Sequence, residues 1–205
     1  MTIALATEAP PFDLPGVDGQ RHSLDDYADV PALAVVWSCN HCPYVQAWEG
    51  RMIELQREYG DRGFRLVAVN SNDADNYPED SFEAMKTRAQ QQGFNFDYLY
   101  DEDQSVVQAY GAERTPEVFL FDADRRLVYH GAIDDSREES EVTERYLRDA
   151  IEAVLAGDEP PVRRDCSRRL LGQAEGVTLP RGGCEMSSAR IDRSFQTDTG
   201  QSPAS

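Results

Sequence analysis

A continuous apolar run, ALAVVW at residues 32–37, constrains the fold more than any other stretch of the chain. Because it lacks alternating polar positions, this run is typical of a central strand that is buried on both faces of its sheet. Residues 44–59 follow with apolar side chains at three- and four-residue steps, which predict an amphipathic helix that ends at Gly60. A doubly covered strand followed directly by a helix predicts an α/β protein.

The alternation of strands and helices continues to residue 157. Strands are predicted at residues 64–70 and 96–100, helices at 78–93 and 103–111, an antiparallel hairpin at 117–121 and 126–130, and a last helix at 141–157. We therefore expect a central mixed β-sheet flanked by helices, formed by a domain at 1–157. Residues 158–205 are rich in Pro, Gly, Ser and Arg and lack periodicity, which predicts an irregular, partly disordered C-terminal extension.

The 205-residue chain is strongly acidic, with a formal net charge of -18 at pH 7. Such a surface repels nucleic acid and anionic membranes, so neither is an expected partner. No apolar run approaches the ~20 residues of a membrane span, and the first residues lack the pattern of a signal peptide. We therefore expect a cytoplasmic protein. In the cytoplasm, a close cysteine pair indicates catalysis or metal binding more often than a structural disulfide.

The sequence WSCNHCPYV, residues 37–45, places two cysteines and a histidine between the buried strand and the helix. Pro43 lacks an amide proton and belongs in the first helical turn, so we expect Cys39 near the N-cap and Cys42 one turn inside. Unpaired amides and the helix dipole should then lower the pKa of the Cys39 thiol. A cationic His41 would strengthen this effect. The pattern predicts Cys39 as the nucleophile and Cys42 as the resolving thiol.

A second candidate feature is RTPEVFLFD, residues 114–122, in which a Thr-Pro pair enters an apolar strand. Proline within a sheet is confined to a strand start, an edge or a bulge, and a cis Thr115–Pro116 bond would suit that place. Arg114 is predicted either to hold the site electropositive or to be an ordinary surface arginine. Trp37 is expected beside the dithiol, either in the core or at the substrate groove.

The N-terminal APPFDLPGVDGQRHSL, the buried strand, the CxxC helix and the Thr-Pro strand together resemble the thioredoxin-like redoxins of the AhpC/TSA class. CNHCPYV, VAVNSND, YPEDS, AYGAERTPEVFLFD and GAIDDSR are similar to its peroxiredoxin-like branch. The resemblance covers residues 3–157. It implies a thioredoxin-like fold with the dithiol at the start of the first long helix, a cis bond before Pro116 and a groove shaped by that loop. A lowered pKa of Cys39 would also imply a more oxidising potential than that of thioredoxin.

The chain departs from the peroxiredoxin pattern PxxxTxxC, which ends at the peroxide-reacting cysteine. When Cys42 is placed at that position, Cys39 stands at the threonine position and Val35 at the proline position. We therefore expect a thiol-disulfide oxidoreductase, with a peroxiredoxin-like thiol peroxidase of antioxidant function as the alternative. A dithiol module that binds copper or a protein partner is the second alternative, because two cysteines and a histidine can hold copper. A zinc knuckle needs four ligands, and no second CxxC is present, so no metal ion is expected.

The expected partners are protein or low-molecular-weight disulfides, peroxides for the alternative, and a thioredoxin- or glutathione-type electron donor. No cofactor is expected. Leu33 stands where thioredoxin has a buried acid, so the proton acceptor for Cys42 is left open. Cys166 and Cys184 are candidate accessory thiols in the extension, with incidental thiols as the alternative. The other two histidines, His22 and His130, are interpreted as ordinary strand or turn residues.

Overall fold

The structure, a computed structural model, describes residues 2–162. Its strands are β1 (Asp13–Pro15), β2 (Arg21–Ser23), β3 (Ala32–Trp37), β4 (Phe64–Asn70), β5 (Asp97–Tyr100), β6 (Glu117–Phe121) and β7 (Leu127–Gly131). The first two form a small antiparallel hairpin, and the others form a five-stranded sheet in the order β5-β4-β3-β6-β7. β3, β4 and β5 are parallel, whereas β6 and β7 are antiparallel to their neighbours. The expected mixed sheet is confirmed.

The helices are α1 (Pro43–Tyr59), α2 (Phe82–Gln92), α3 (Ser105–Tyr110) and α4 (Tyr146–Ala156). Short 3-10 helices lie at Leu24–Tyr27, Gly60–Arg62, Pro78–Asp80 and Glu139–Glu141. The prediction of one helix over 78–93 was wrong, because Ser81 is extended and separates the 3-10 helix from α2. The last helix begins at Tyr146 instead of 141, because the Asp135 carboxylate accepts the amides of Thr143 and Glu144 and holds them outside the helix.

Both faces of β3 are buried, as its unbroken apolar sequence predicts. All six of its side chains are inaccessible to solvent. Ala32, Ala34 and Val36 pack in the cluster that α1 and α4 cover, with Trp48, Met52, Leu147 and Ile151 among its members. Leu33, Val35 and Trp37 pack in the opposite cluster, which includes Phe12 from the N-terminal segment and Val107 and Tyr110 from α3. Helices therefore cover one face of the sheet, and α3 and the N-terminal segment cover the other. β3 is buried between them, so the residues that follow Trp37 start from a fixed position.

The described part of the chain ends shortly after α4. Gly157 follows this helix in the left-handed conformation, with a φ of 81°, which is the usual way for a glycine to end a helix. The division into a domain at 1–157 and an extension at 158–205 stays a prediction, since residues 163–205, with Cys166 and Cys184, lie outside the described residues. Within residues 2–162, no helix is long and apolar enough to cross a lipid bilayer.

Candidate active site

The predicted functional segments lie together at one edge of the sheet, where β3 and β4 end and β6 begins. Trp37, the last residue of β3, is in register with Val69 of β4 and with Glu117 of β6. Because β3 and β4 are parallel and β6 is antiparallel, the chain leaves the first two strands and enters the third at the same edge. The segment at 38–42, the residues after β4 and the loop before β6 therefore meet there.

The two cysteines and the Thr-Pro loop form the centre of the site. Both sulfurs are present as thiols, and Cys39 and Cys42 are 1% and 0% exposed. The Cys39 Sγ and the Thr115 Oγ1 share a hydrogen bond of 3.5 Å, and the Cys42 thiol donates to the Thr115 carbonyl oxygen at 3.7 Å. The Thr115–Pro116 peptide bond is cis, as expected. The dithiol and the loop, far apart in sequence, thus meet around one threonine.

The expected placement of the cysteines on the helix was wrong. Pro43 is the first residue of α1 and Cys42 is the N-cap, so Cys39 lies before the helix altogether. Proline is favoured at the first helical position, where its missing amide costs nothing. The expected lowering of the Cys39 pKa is also wrong: the hydrogen bond with Cys42 and burial raise the pKa of this thiol, although the Thr115 hydroxyl acts in the opposite direction.

His41 lies beside the dithiol, as predicted, but it is bound to an acid. Its Nδ1 is 2.5 Å from the Oδ2 of Asp80. Its ring stacks on Tyr77, with ring centroids 4.8 Å apart and an interplanar angle of 3°. The potential ligand atoms of Cys39, His41 and Asp80 all lie within 4.8 Å of one another. The imidazole is therefore held in place on two sides next to the Cys39 sulfur.

Asp80 is a site residue that sequence reasoning missed. It is fully buried at the end of the Pro78–Asp80 helix. Besides His41, it accepts the backbone amide of Asn40 at 2.5 Å and the side-chain amide of Asn72 at 2.7 Å. The motif YPEDS contains this residue, but the family resemblance assigns it no role. No local pattern indicates its contacts, because 39 residues separate it from His41.

A second buried cluster lies below the Thr-Pro loop. The Glu117 carboxylate accepts the amide of Glu113 at 2.7 Å and lies 2.7 Å from the Nε2 of His130. Burial acts to raise the pKa of Glu117, but the hydrogen bonds with His130 and Glu113 outweigh it, and the pKa is lowered. The Arg114 guanidinium lies 3.9 Å from the same carboxylate. Arg114 therefore faces an acid rather than making the loop electropositive, and His130 supports the loop instead of being an ordinary strand residue.

Trp37 does not line a substrate groove. Its side chain is fully buried and packs against Tyr110 and Phe119, with ring centroids 4.7 and 5.3 Å away. These partners belong to the cluster on the sheet face opposite α1. The core alternative for Trp37 is therefore correct, and the groove assignment is wrong.

The fold and the site define a thioredoxin-like redoxin: a mixed sheet, a CxxC dithiol at the start of the first long helix and a cis-proline loop beside it. Residues 5–130 match the AhpC/TSA family, and the chain belongs to that family.

Sequence and structure comparisons with individual proteins support this assignment. A conserved protein from Geobacillus kaustophilus is 42% identical, with a TM-score of 0.75 over 79% of this chain and 87% of that chain. The thiol-disulfide oxidoreductase ResA of Geobacillus thermodenitrificans is 28% identical over 127 residues, which are 61% of this chain and 67% of the relative. Peroxidoxin BcpB of Mycobacterium tuberculosis shares the fold at 15% identity, with a TM-score of 0.55 over 75% of this chain and 96% of that chain.

The family, the relatives and the dithiol together confirm the expected activity class. The protein is a thiol-disulfide oxidoreductase of the thioredoxin-like redoxins. Enzymes of this class exchange electrons with protein or small-molecule thiols and disulfides through a mixed-disulfide intermediate.

Proposed function

We propose that Cys39 attacks the substrate disulfide and that Cys42 resolves the adduct. The contact of both sulfurs with Thr115 supports this proposal most strongly, because it places the dithiol directly against the cis-proline loop. The Cys39 thiolate forms a bond to one substrate sulfur while the substrate disulfide breaks and the other sulfur leaves as a thiolate. The deprotonated Cys42 then attacks the Cys39 sulfur, forms the intramolecular disulfide and releases the second substrate thiolate. Two electrons pass from the dithiol to the substrate.

The surroundings of the two sulfurs support this division of roles. Cys39 lies next to His41, whose side chain is 27% exposed and reaches solvent. The Thr115 hydroxyl is placed to donate a hydrogen bond to a Cys39 thiolate. Cys42 is the N-cap of α1, where the helix dipole stabilises a thiolate formed during the resolving step. His41, oriented by Asp80, supplies the polar group beside the attacking sulfur.

Trapping of the mixed disulfide tests the assignment. We would mix reduced protein with oxidised glutathione, with Cys166→Ser and Cys184→Ser in every variant so that only the dithiol reacts. Cys42→Ser should accumulate a glutathione adduct on Cys39, mapped by mass spectrometry of peptides, whereas the matched Cys39→Ser should react slowly. A faster adduct on Cys42 would reverse the roles, and the absence of an adduct in both variants would refute the exchange reaction.

Disulfides rather than peroxides are the proposed main substrates, with a thioredoxin- or glutathione-type donor returning the electrons. The chain has Val35 and Cys39 where the peroxiredoxin pattern has its proline and threonine, so the pattern of a peroxide-reacting cysteine is incomplete. The positive charge of Arg114 is directed toward Glu117 instead of toward the dithiol. An antioxidant peroxidase role is the second candidate, since the Thr115 hydroxyl beside the Cys39 sulfur could also donate to a peroxide oxygen. Stopped-flow fluorescence of the reduced protein compares the two substrates. Oxidation by hydrogen peroxide that outpaces oxidation by glutathione disulfide would favour the peroxidase.

The proposed place of action is the cytoplasm. The CxxC pair fits this location, because disulfides that form in a reducing compartment are usually transient and catalytic. Cell fractionation with antibodies against the protein tests this, and recovery outside the cytoplasmic fraction would contradict it.

A further inference from the structure

Three potential metal ligands converge at the reduced dithiol, and a fourth, Cys42, is hydrogen-bonded to one of them. The ligand atoms of Cys39, His41 and Asp80 lie within 4.8 Å of one another, and the Cys42 thiol is hydrogen-bonded to Cys39. We propose that the reduced protein binds one zinc-type divalent cation through these four side chains. Such binding goes beyond disulfide exchange, and it requires that both thiols be reduced and that the His41–Asp80 hydrogen bond open.

The chemistry of the four groups favours zinc over other metals. Two thiolates, one imidazole and one carboxylate match the ligand types and the tetrahedral number that Zn²⁺ takes in proteins. Cu(I) is bound by soft sulfur ligands and gains little from the carboxylate of Asp80. A second CxxC is not needed for this site, because the fourth ligand comes from the Pro78–Asp80 helix.

The carboxylate is already oriented for this task. Asp80 is fully buried and is fixed by the Asn40 amide on one oxygen and by the Asn72 side chain on the other. Metal-binding carboxylates are held by hydrogen bonds of this kind, which set their direction before the metal arrives. Stacking on Tyr77 likewise limits the motion of His41. A small opening of the His41–Asp80 hydrogen bond admits the ion between the two groups.

The charge balance of the site also favours a cation. A dithiolate next to the buried Asp80 would place several negative charges together. Two nearby arginines are already engaged by acids, Arg88 by Glu49 and Arg114 by Glu117. A divalent ion would neutralise the two thiolates, and their two protons would pass to solvent as the two metal–sulfur bonds form.

Metal binding and disulfide exchange would then exclude each other. Both Cys39 and Cys42 sulfurs are needed as ligands, and both are consumed when the intramolecular disulfide forms. The zinc-bound protein is therefore a resting form that is protected from oxidation, and the oxidised protein cannot bind the ion.

Titration of the full-length reduced protein with Co²⁺, followed by displacement with Zn²⁺, tests the site. Cys166→Ser and Cys184→Ser are again present so that other thiols do not contribute. One equivalent of Co²⁺ should produce the thiolate-to-cobalt charge-transfer absorption, which Zn²⁺ abolishes, and prior oxidation of the dithiol should prevent it. No such absorption from the reduced protein would refute the proposal.

The variants Asp80→Asn and Glu79→Gln identify the fourth ligand. Asp80→Asn should weaken Zn²⁺ binding, measured by competition with a chelator, by about tenfold or more. The matched Glu79→Gln changes the adjacent exposed acid and should bind as the parent does. Equal Zn²⁺ affinity in a folded Asp80→Asn variant would overturn the site. If that variant does not fold, His41→Asn removes another proposed ligand, and it should likewise weaken Zn²⁺ binding by about tenfold or more. Equal affinity in His41→Asn would then overturn the site. Disulfide exchange by metal-free protein is measured in parallel, so that loss of zinc binding and loss of the proposed reaction are distinguished.

Discussion

The Sγ of Cys39 and the Oγ1 of Thr115 lie 3.5 Å apart although 76 positions separate them in the chain. This contact joins the start of α1 to the cis-proline loop, and among the described residues the Thr115 hydroxyl is the hydrogen-bonding side chain that reaches the Cys39 sulfur from outside the dithiol. A thiolate formed at Cys39 therefore depends on one hydroxyl group that local sequence does not supply.

Removal of this hydroxyl should slow the chemistry of Cys39. Thr115→Val is expected to lower the alkylation rate of Cys39 at neutral pH by about tenfold, because a hydrogen bond to a charged group contributes about 1.5–3 kcal/mol. The measurement is the second-order rate constant with iodoacetamide in a Cys42→Ser background. Thr115→Ser keeps the hydroxyl and is the control. An unchanged rate in Thr115→Val would show that this hydroxyl does not assist the thiolate.

Glu117 should make stability depend on acidity. Because the pKa of its folded-state carboxyl is lowered, its contribution to the free energy of unfolding is complete above the ordinary value of 4.5 and is lost as the pH falls through the folded pKa. Wild type should therefore exceed Glu117→Gln in stability by a constant amount at neutral pH, and the difference should shrink below about pH 4.5.

Urea denaturation at several pH values measures this difference. Glu113→Gln, in the same loop but exposed, is the control and should track the wild type. A gap between wild type and Glu117→Gln that stays constant down to the lowest pH would contradict the assignment of a lowered pKa to this carboxyl.

The buried ion pair Arg51–Asp134 should be among the most sensitive points of the fold. The Arg51 Nη1 lies 2.6 Å from Asp134, which also accepts the Trp48 indole N–H at 2.7 Å, so this carboxylate ties α1 to the segment after β7. Loss of one partner of a buried pair costs about 3–5 kcal/mol. Asp134→Ala should lower the free energy of unfolding by an amount near the lower end of this range, because Arg51 keeps the carbonyl oxygens of Ser136 and Arg137 as partners.

The free energy of unfolding from urea titration checks this prediction. Glu54→Ala removes an exposed acid of the same helix, 3.7 Å from Arg57, and should change stability by less than about 1 kcal/mol. Equal changes in the free energy of unfolding for the two substitutions would show that the buried Arg51–Asp134 pair stabilises the fold no more than an exposed pair does.

Much of the fold could be predicted because it rests on local burial patterns. The apolar run at 32–37 is β3 as predicted, and the three- and four-residue spacing after it is α1. The antiparallel hairpin of β6 and β7 also follows from two short apolar runs joined by a polar turn. The helix starts were predicted less accurately: α4 begins later than its periodicity suggests, because the Asp135 carboxylate accepts the amides of Thr143 and Glu144.

The sequence by itself determined the chemistry of the site: two cysteines, a histidine between them and a proline-bearing strand that must return to the same sheet. Only the tertiary structure decided where those groups sit. Asp80 reaches His41, and Glu117 reaches His130, because strand register brings distant loops to one edge of the sheet. Periodicity reports which face of an element is buried, but it carries no information about which distant polar group will be buried against it. The electrostatics of the dithiol, including the direction in which the pKa of Cys39 moves, therefore depend on contacts that exist only in the folded chain.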